Sequence, residues 1–381
     1  MFVNARAFFL TTSAILAAVI PTGSWTKARP ADAAGRSPAS FTNPLVAAEG
    51  RGGSADPSVV FHDGHYYYCR SIDDRAIGIA RAERLQDIGS APMRTVWTAP
   101  HGTAHSAEVW APELQRVQGR WYIYFAASDG TNATHRMYAL RSVSDDPNSA
   151  FEFKGKIAAR KSDERAIDGL MLEHDGSLYF MWSGWRRAGD GFPQVTYIAR
   201  MSDPLTISGE RHEIAAPDRD WERAGAPLTE GHAILRRGRK IFVVYSTSAS
   251  WTDDYKLGML TFSGGNILDR SAWRKSPLPV FSKLPRSNAF GPGHNSFVKS
   301  PDGTEDWIVY HAIDVSGGGW SRRSVRAQPF HWHDDGTPDF GVPVALGKVL
   351  REPSGTRAVA DSVQRASPAS PASVRTAAES R

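Results

Sequence analysis

Five polar residues stand at the head of similar stretches of this chain. They are Asp56 in ADPSVVFHDGHYYYCRS, Glu113 in APELQRVQGRWYIYFAAS, Asp168 in AIDGLMLEHDGSLYFMWSG, Glu230 in LTEGHAILRRGRKIFVVYSTS and His294 in GPGHNSFVKSPDGTEDWIVYHAI. Four are carboxylates. Carboxylates held near one another cannot all keep ordinary pKa values. Mutual repulsion and partial desolvation raise at least one, leaving a protonated acid beside an ionised base near neutral pH. Hydrolysis of a glycosidic bond needs such a pair. The sequence also holds 12 tryptophans, several of them near strand ends (Trp110, Trp182, Trp185, Trp251 and Trp320), which offer faces for sugar rings.

Singly, each of these residues has an ordinary structural use. An Asp before Pro commonly starts a turn, and Asp63 and Asp175 of the Asp-Gly pairs are turn formers. A lone channel histidine is more often a hydrogen-bonding residue than a metal ligand. Most tryptophans are expected to pack between structural units. What sets the five apart is their shared register, which a random collection of turns would not produce.

The elements that must position them follow from the same stretches. Each has an apolar alternation, a short polar tip and then an aromatic run, which is a β-hairpin pattern. The leading residues are 57, 55, 62 and 64 positions apart, slightly longer than common propeller repeats. Strand-like runs such as RMYALRSVS and QVTYIARMS fill the intervals, and helical periodicity is weak. Two further strands per copy make a four-stranded blade. The expected fold is therefore all-β: a five-bladed β-propeller with four-stranded blades around a central channel. First strands line that channel in one direction, so their leading residues meet at one mouth. Pro57 is expected to hold the Asp56 backbone extended. The residues alone leave open which two of the four carboxylates do the chemistry.

Three segments are expected: a signal peptide over 1–34, a catalytic propeller over 35–350 and a disordered low-complexity tail over 351–381. Arg6 precedes the apolar run AFFLTTSAILAAVI, and Ala31-Asp32-Ala33 offers a cleavage site, so secretion is expected. After Arg351 the chain is rich in Ala, Ser, Pro and Arg without apolar period. The net charge of +5 sits mostly at the ends: residues 1–34 carry three basic residues and one acid (+2), and residues 351–381 carry five Arg and three acids (+2). About +1 remains for the middle, which argues against a nucleic-acid partner. No later segment reaches membrane-spanning length, so no membrane partner is expected after signal cleavage. Cys69 is the only cysteine, which excludes an intrachain disulfide and suits a packing role.

The five motifs, in this order over roughly residues 45 to 345, resemble glycoside hydrolase family 43. The resemblance implies a five-bladed propeller that hydrolyses arabinose- or xylose-containing plant polysaccharides with inversion. It implies Asp56 as general base, Glu230 as general acid and Asp168 as the carboxylate that holds the acid and raises its pKa, with Glu113 as support. His294 matches a channel histidine that in some members helps hold calcium or another axial ion, while the chemistry itself requires no cofactor. Arg323 in WSRRSVRAQPFHW is the expected contact to a substrate hydroxyl, with Arg322 and Arg326 as competitors, and Trp110 is expected to bind substrate. The blade-five sequence looks most like α-L-arabinofuranosidases acting as monomers on arabinan or arabinoxylan. β-Xylosidase, endo-arabinanase and a sugar-binding propeller without catalysis are the alternatives. One departure is Thr229-Glu230-Gly231-His232, where many relatives carry Asn before the acid and Pro after the Gly.

Overall fold

A computed structural model describes residues 39–159 and 161–357. The hairpin tips fold as their sequences dictate. Asp63-Gly64, Gln118-Gly119 and Asp175-Gly176 all have positive φ at both positions, the turn that matches the twist of the flanking strands. Blade one comprises Ser58–His62, His65–Ile72, Ala76–Ala82 and Met93–Thr98. Blade two comprises Ala107–Val117, Arg120–Ser128, Arg136–Ser142 and Phe151–Ile157. Blade three runs through Ala166–His174, Ser177–Gly184 and Val195–Asp203, with its outer strand split into Thr206–Ile207 and His212–Ala215. Thr229–Arg237, Lys240–Thr247, Lys256–Phe262 and Trp273–Lys275 form blade four. Phe290–Lys299, Asp306–Ile313, Arg323–Trp332 and Pro338–Asp339 form blade five.

Each first strand touches the first strands of both neighbouring blades, and the fifth touches the first, so the ring closes around a central axis. A separate hydrophobic cluster fills each of the five seams between blades. Cys69 is fully buried in the seam between blades one and two, with its thiol pushed well up by burial. Nearer the axis, polar side chains stitch the seams: Leu114 N–H donates to Ser58 Oγ (3.0 Å), and Gln115 exchanges two hydrogen bonds with the Met171 backbone.

Closure uses both ends of the described chain. Ser40–Thr42 pairs with Val349–Arg351, and Leu45 N–H donates to Val325 O beside the third strand of blade five. Asn43 exchanges two hydrogen bonds, both 2.9 Å, with the Ala327 backbone. The tail expected from residue 351 is corrected at its start. Arg351 is in a strand, Glu352 accepts from Arg84, and Ser354 donates to Asp302. Residues 358–381 lie outside the described residues, as does the expected signal peptide over 1–34. Among the described residues no helix is long and apolar enough to cross a membrane.

Candidate active site

Four of the five leading residues sit at or beside local breaks in their strands, and Asp56 stands just ahead of Ser58–His62. Register shifts fall between Trp110 and Glu113, Ile167 and Leu170, Glu230 and Ala233, and on both sides of Gly293. Such bulges re-aim a side chain without ending the sheet. Asp56, Asp168 and His294 have φ of +48°, +52° and +41°, a left-handed conformation costing about 1–3 kcal/mol each. In blade four the kink falls on Gly231 (φ +55°), directly after Glu230. The expectation that Pro57 keeps Asp56 extended is therefore corrected. The contacts that hold the Asp56 carboxylate on the axis override the local preference.

His294 is the hub of the ring. Its Nδ1 lies 3.2 Å from Asp56 Oδ1 and 3.9 Å from Asp168 Oδ2, and its Nε2 lies 3.1 Å from Glu113 Oε1. Burial alone would lower its pKa, but Asp56, Asp168 and Glu113 overcome this and raise it to about 10. It is an imidazolium at neutral pH. The resemblance suggested an axial ion at this position, but the residues as placed do not fit one. Both ring nitrogens are committed to carboxylates. Among the described residues, no three His, Cys, Asp or Glu side chains form a group able to hold a metal.

Asp56 and Glu230 are tuned in opposite directions. Burial pushes the Asp56 carboxyl up, but His294, Arg323 and His311 together outweigh it and hold the group far below the usual carboxylate range. Arg323 Nη1 stands 3.6 Å from Asp56 Oδ1, and His311 Nδ1 stands 3.3 Å from the same oxygen. Glu230 is raised instead, chiefly by burial. Hydrogen bonds from Gln194 Nε2 and Tyr255 Oη, both 2.9 Å, temper the rise and fix both carboxyl oxygens. Asp168 is pushed up to about 7, first by burial and then by the charges of Glu230 and Asp56. Its Oδ2 accepts the Gly231 N–H at 2.9 Å, so it grips the backbone next to Glu230. The mouth thus holds one carboxylate kept ionised, Asp56, and two that keep their protons to higher pH, Glu230 and Asp168.

Comparison with known proteins identifies the family. The profile described as Glycosyl hydrolases family 43 matches residues 41–338. The chain belongs to glycosyl hydrolases family 43. An extracellular exo-alpha-(1->5)-L-arabinofuranosidase of Streptomyces avermitilis is 39% identical over 81% of this chain and 64% of its own length. Alpha-L-arabinofuranosidase 43 of Humicola insolens is 36% identical over 77% of this chain and 62% of its own. The chain spans less than two thirds of either relative. The crystal structure of an alpha-L-arabinofuranosidase from Lactobacillus brevis superposes with a TM-score of 0.74 at 35% identity, covering 81% of this chain and 98% of that one.

Within this family 43 propeller the remaining expected residues are placed as follows. Arg323 hydrogen-bonds Gly52 O through Nε (3.0 Å) and Nη2 (2.8 Å), which aims Nη1 at Asp56. Its competitors differ: Arg326 is fully buried and paired with Asp314, and Arg322 is exposed. Trp110 is half-buried and stacks on His135, with ring centroids 3.9 Å apart. A hydrogen-bond file leads from there to Glu230: His135 Nδ1 lies 3.1 Å from Asn132 O, Arg165 donates to Asn132 and Gln194, and Gln194 donates to Glu230. Gln194, Tyr255 and His311 are absent from the motif reading because they lie on second and third strands or the loops before them. The one visible signal was His311, a polar interruption in the apolar run DWIVYHAI.

Proposed function

We propose that this chain is a secreted, inverting α-L-arabinofuranosidase that removes terminal arabinofuranose from arabinan or arabinoxylan. The observation carrying this reading is the opposite tuning of Asp56 and Glu230 around one axis. Ionised Asp56 takes a proton from a water as its oxygen attacks the anomeric carbon. Glu230 gives its proton to the leaving oxygen, and the single displacement inverts the centre. Asp168 positions Glu230 through Gly231. Arg323 orients a sugar hydroxyl with Nη1, and Trp110 contributes to the sugar-binding wall. Both proton carriers are side chains, so the chemistry needs no cofactor. The names of the relatives from Streptomyces avermitilis and Humicola insolens support arabinose as the sugar. The word extracellular in the first name, with the apolar N-terminal run, supports action outside the cell.

Incubation with linear arabinan, arabinoxylan and xylan, followed by proton NMR of the fresh product, tests the reading. Free arabinose appearing first as the β-anomer is expected. Release of xylose or of internal oligosaccharides would replace it with β-xylosidase or endo-arabinanase activity. Binding without release would leave a sugar-binding propeller.

A further inference from the structure

Trp251 and Trp320 are 42% and 47% exposed, the only tryptophans among the large hydrophobic side chains left open on the described surface. They touch each other, with ring centroids 5.7 Å apart and planes at 80°. No core requires them. Such a pair of exposed indoles presents apolar faces with polar edges, the chemistry that sugar rings stack on.

Both are tied to the catalytic mouth. Trp320 O accepts from Arg323 Nε at 3.3 Å, and Arg323 Nη1 lies 3.6 Å from Asp56. Trp251 lies in the loop between Lys240–Thr247 and Lys256–Phe262, four positions before Tyr255, whose hydroxyl holds Glu230. The two loops are clamped: Asp253 accepts Ser316 Oγ at 2.5 Å and Gly317 N–H at 2.9 Å. Trp320 Nε1 donates to Ser250 Oγ at 3.1 Å, which fixes the indole against the opposite loop. The platform is therefore preorganised and costs little ordering on binding.

Its side of the mouth identifies its occupant. The acid protonates the leaving oxygen, so the departing chain must extend on the side of Glu230. The loop carrying Trp251 and Tyr255 belongs to the blade that carries Glu230. Resting on the function proposed above, we infer that Trp251 and Trp320 form a leaving-group subsite that stacks the pentose rings that follow the first sugar beyond the bond being cleaved. The site is specific for chain length, and its ligand is an α-1,5-linked arabino-oligosaccharide longer than a disaccharide.

The test compares arabinobiose with arabinopentaose for the wild-type chain, W251A, W320A and the conservative W251F and W320F. The wild type is expected to have a higher kcat/KM on the pentamer. Each alanine variant is expected to lose about five- to tenfold of it, mainly through KM, with the disaccharide changed less than twofold. Phenylalanine should restore part of the gain. An undiminished length preference in both alanine variants would overturn the subsite and leave the proposed activity standing. So would an equal loss on both substrates. A wild-type chain that releases arabinose from neither substrate would overturn the proposed activity and the subsite together.

Discussion

The ring of Tyr255 lies parallel to that of His311, with centroids 5.7 Å apart and planes 3° from each other. Tyr255 donates to Glu230, proposed as the acid, and His311 touches Asp56, proposed as the base, so one stacked pair couples the orientation of both carboxylates. The Tyr255 hydroxyl favours the ionised form of Glu230, and its removal raises the carboxyl further. Tyr255→Phe is expected to move the alkaline limb of the kcat/KM profile to higher pH. At the optimum kcat/KM should fall roughly tenfold as the acid loses a fixed hydrogen bond. A pH–rate profile decides: a limb that stays put or moves lower contradicts this role for Tyr255.

The opposite tuning of the two carboxylates separates their variants by substrate. Glu230→Gln removes the proton donor, so natural arabinosides, whose leaving oxygen needs protonation, should lose about 10²–10⁴-fold in kcat. An activated aryl arabinofuranoside, with a good leaving group, should keep measurable turnover. Asp56→Asn removes the group that activates water, and both substrate types should fail. Equal losses on both substrates for Glu230→Gln would remove it from the acid role, and retained activity in Asp56→Asn would remove it from the base role.

The ring of leading residues was legible because five apolar alternations each begin with a polar side chain, and a propeller has one place for such positions. The bulges were not legible. A left-handed φ at Asp56, against the preference set by Pro57, is imposed by His294, His311 and Arg323, none of them near it in sequence. Gln194 and Tyr255 escaped for a related reason. Periodicity tells which face of a strand is buried, but not which loop, of the same blade for Tyr255 or of the neighbouring one for Gln194, delivers a hydrogen bond to Glu230. The strand at Val349–Arg351 was not legible because the pairing with Ser40–Thr42 that fixes it joins segments about three hundred residues apart.

His294 supplies the positive charge on the axis, with both ring nitrogens committed to carboxylates. Exhaustive dialysis against a chelator is accordingly expected to leave kcat and the melting temperature unchanged. Loss of activity restored specifically by calcium would show that the histidine gives up a carboxylate to an ion.

The same charge makes stability depend on pH in a defined window. The pKa of His294 is raised from 6.5 to about 10 in the folded chain. Its stabilising contribution is thus complete below pH 6.5 and is lost as pH rises through about 10. Asp168, raised from 3.8 to about 7, also favours its protonated form, and its contribution is lost in an earlier window, from 3.8 to about 7. Urea melts of the wild type between pH 7 and 10 should therefore show steadily falling stability, whereas His294→Gln should start lower and show a flatter dependence. In the same variant Asp56 loses the strongest influence holding its pKa down, so the acid limb of kcat/KM should move to higher pH. A variant whose stability falls as steeply as that of the wild type over this range would mean that His294 is neutral in the folded protein. The axial charge would then have to come from elsewhere.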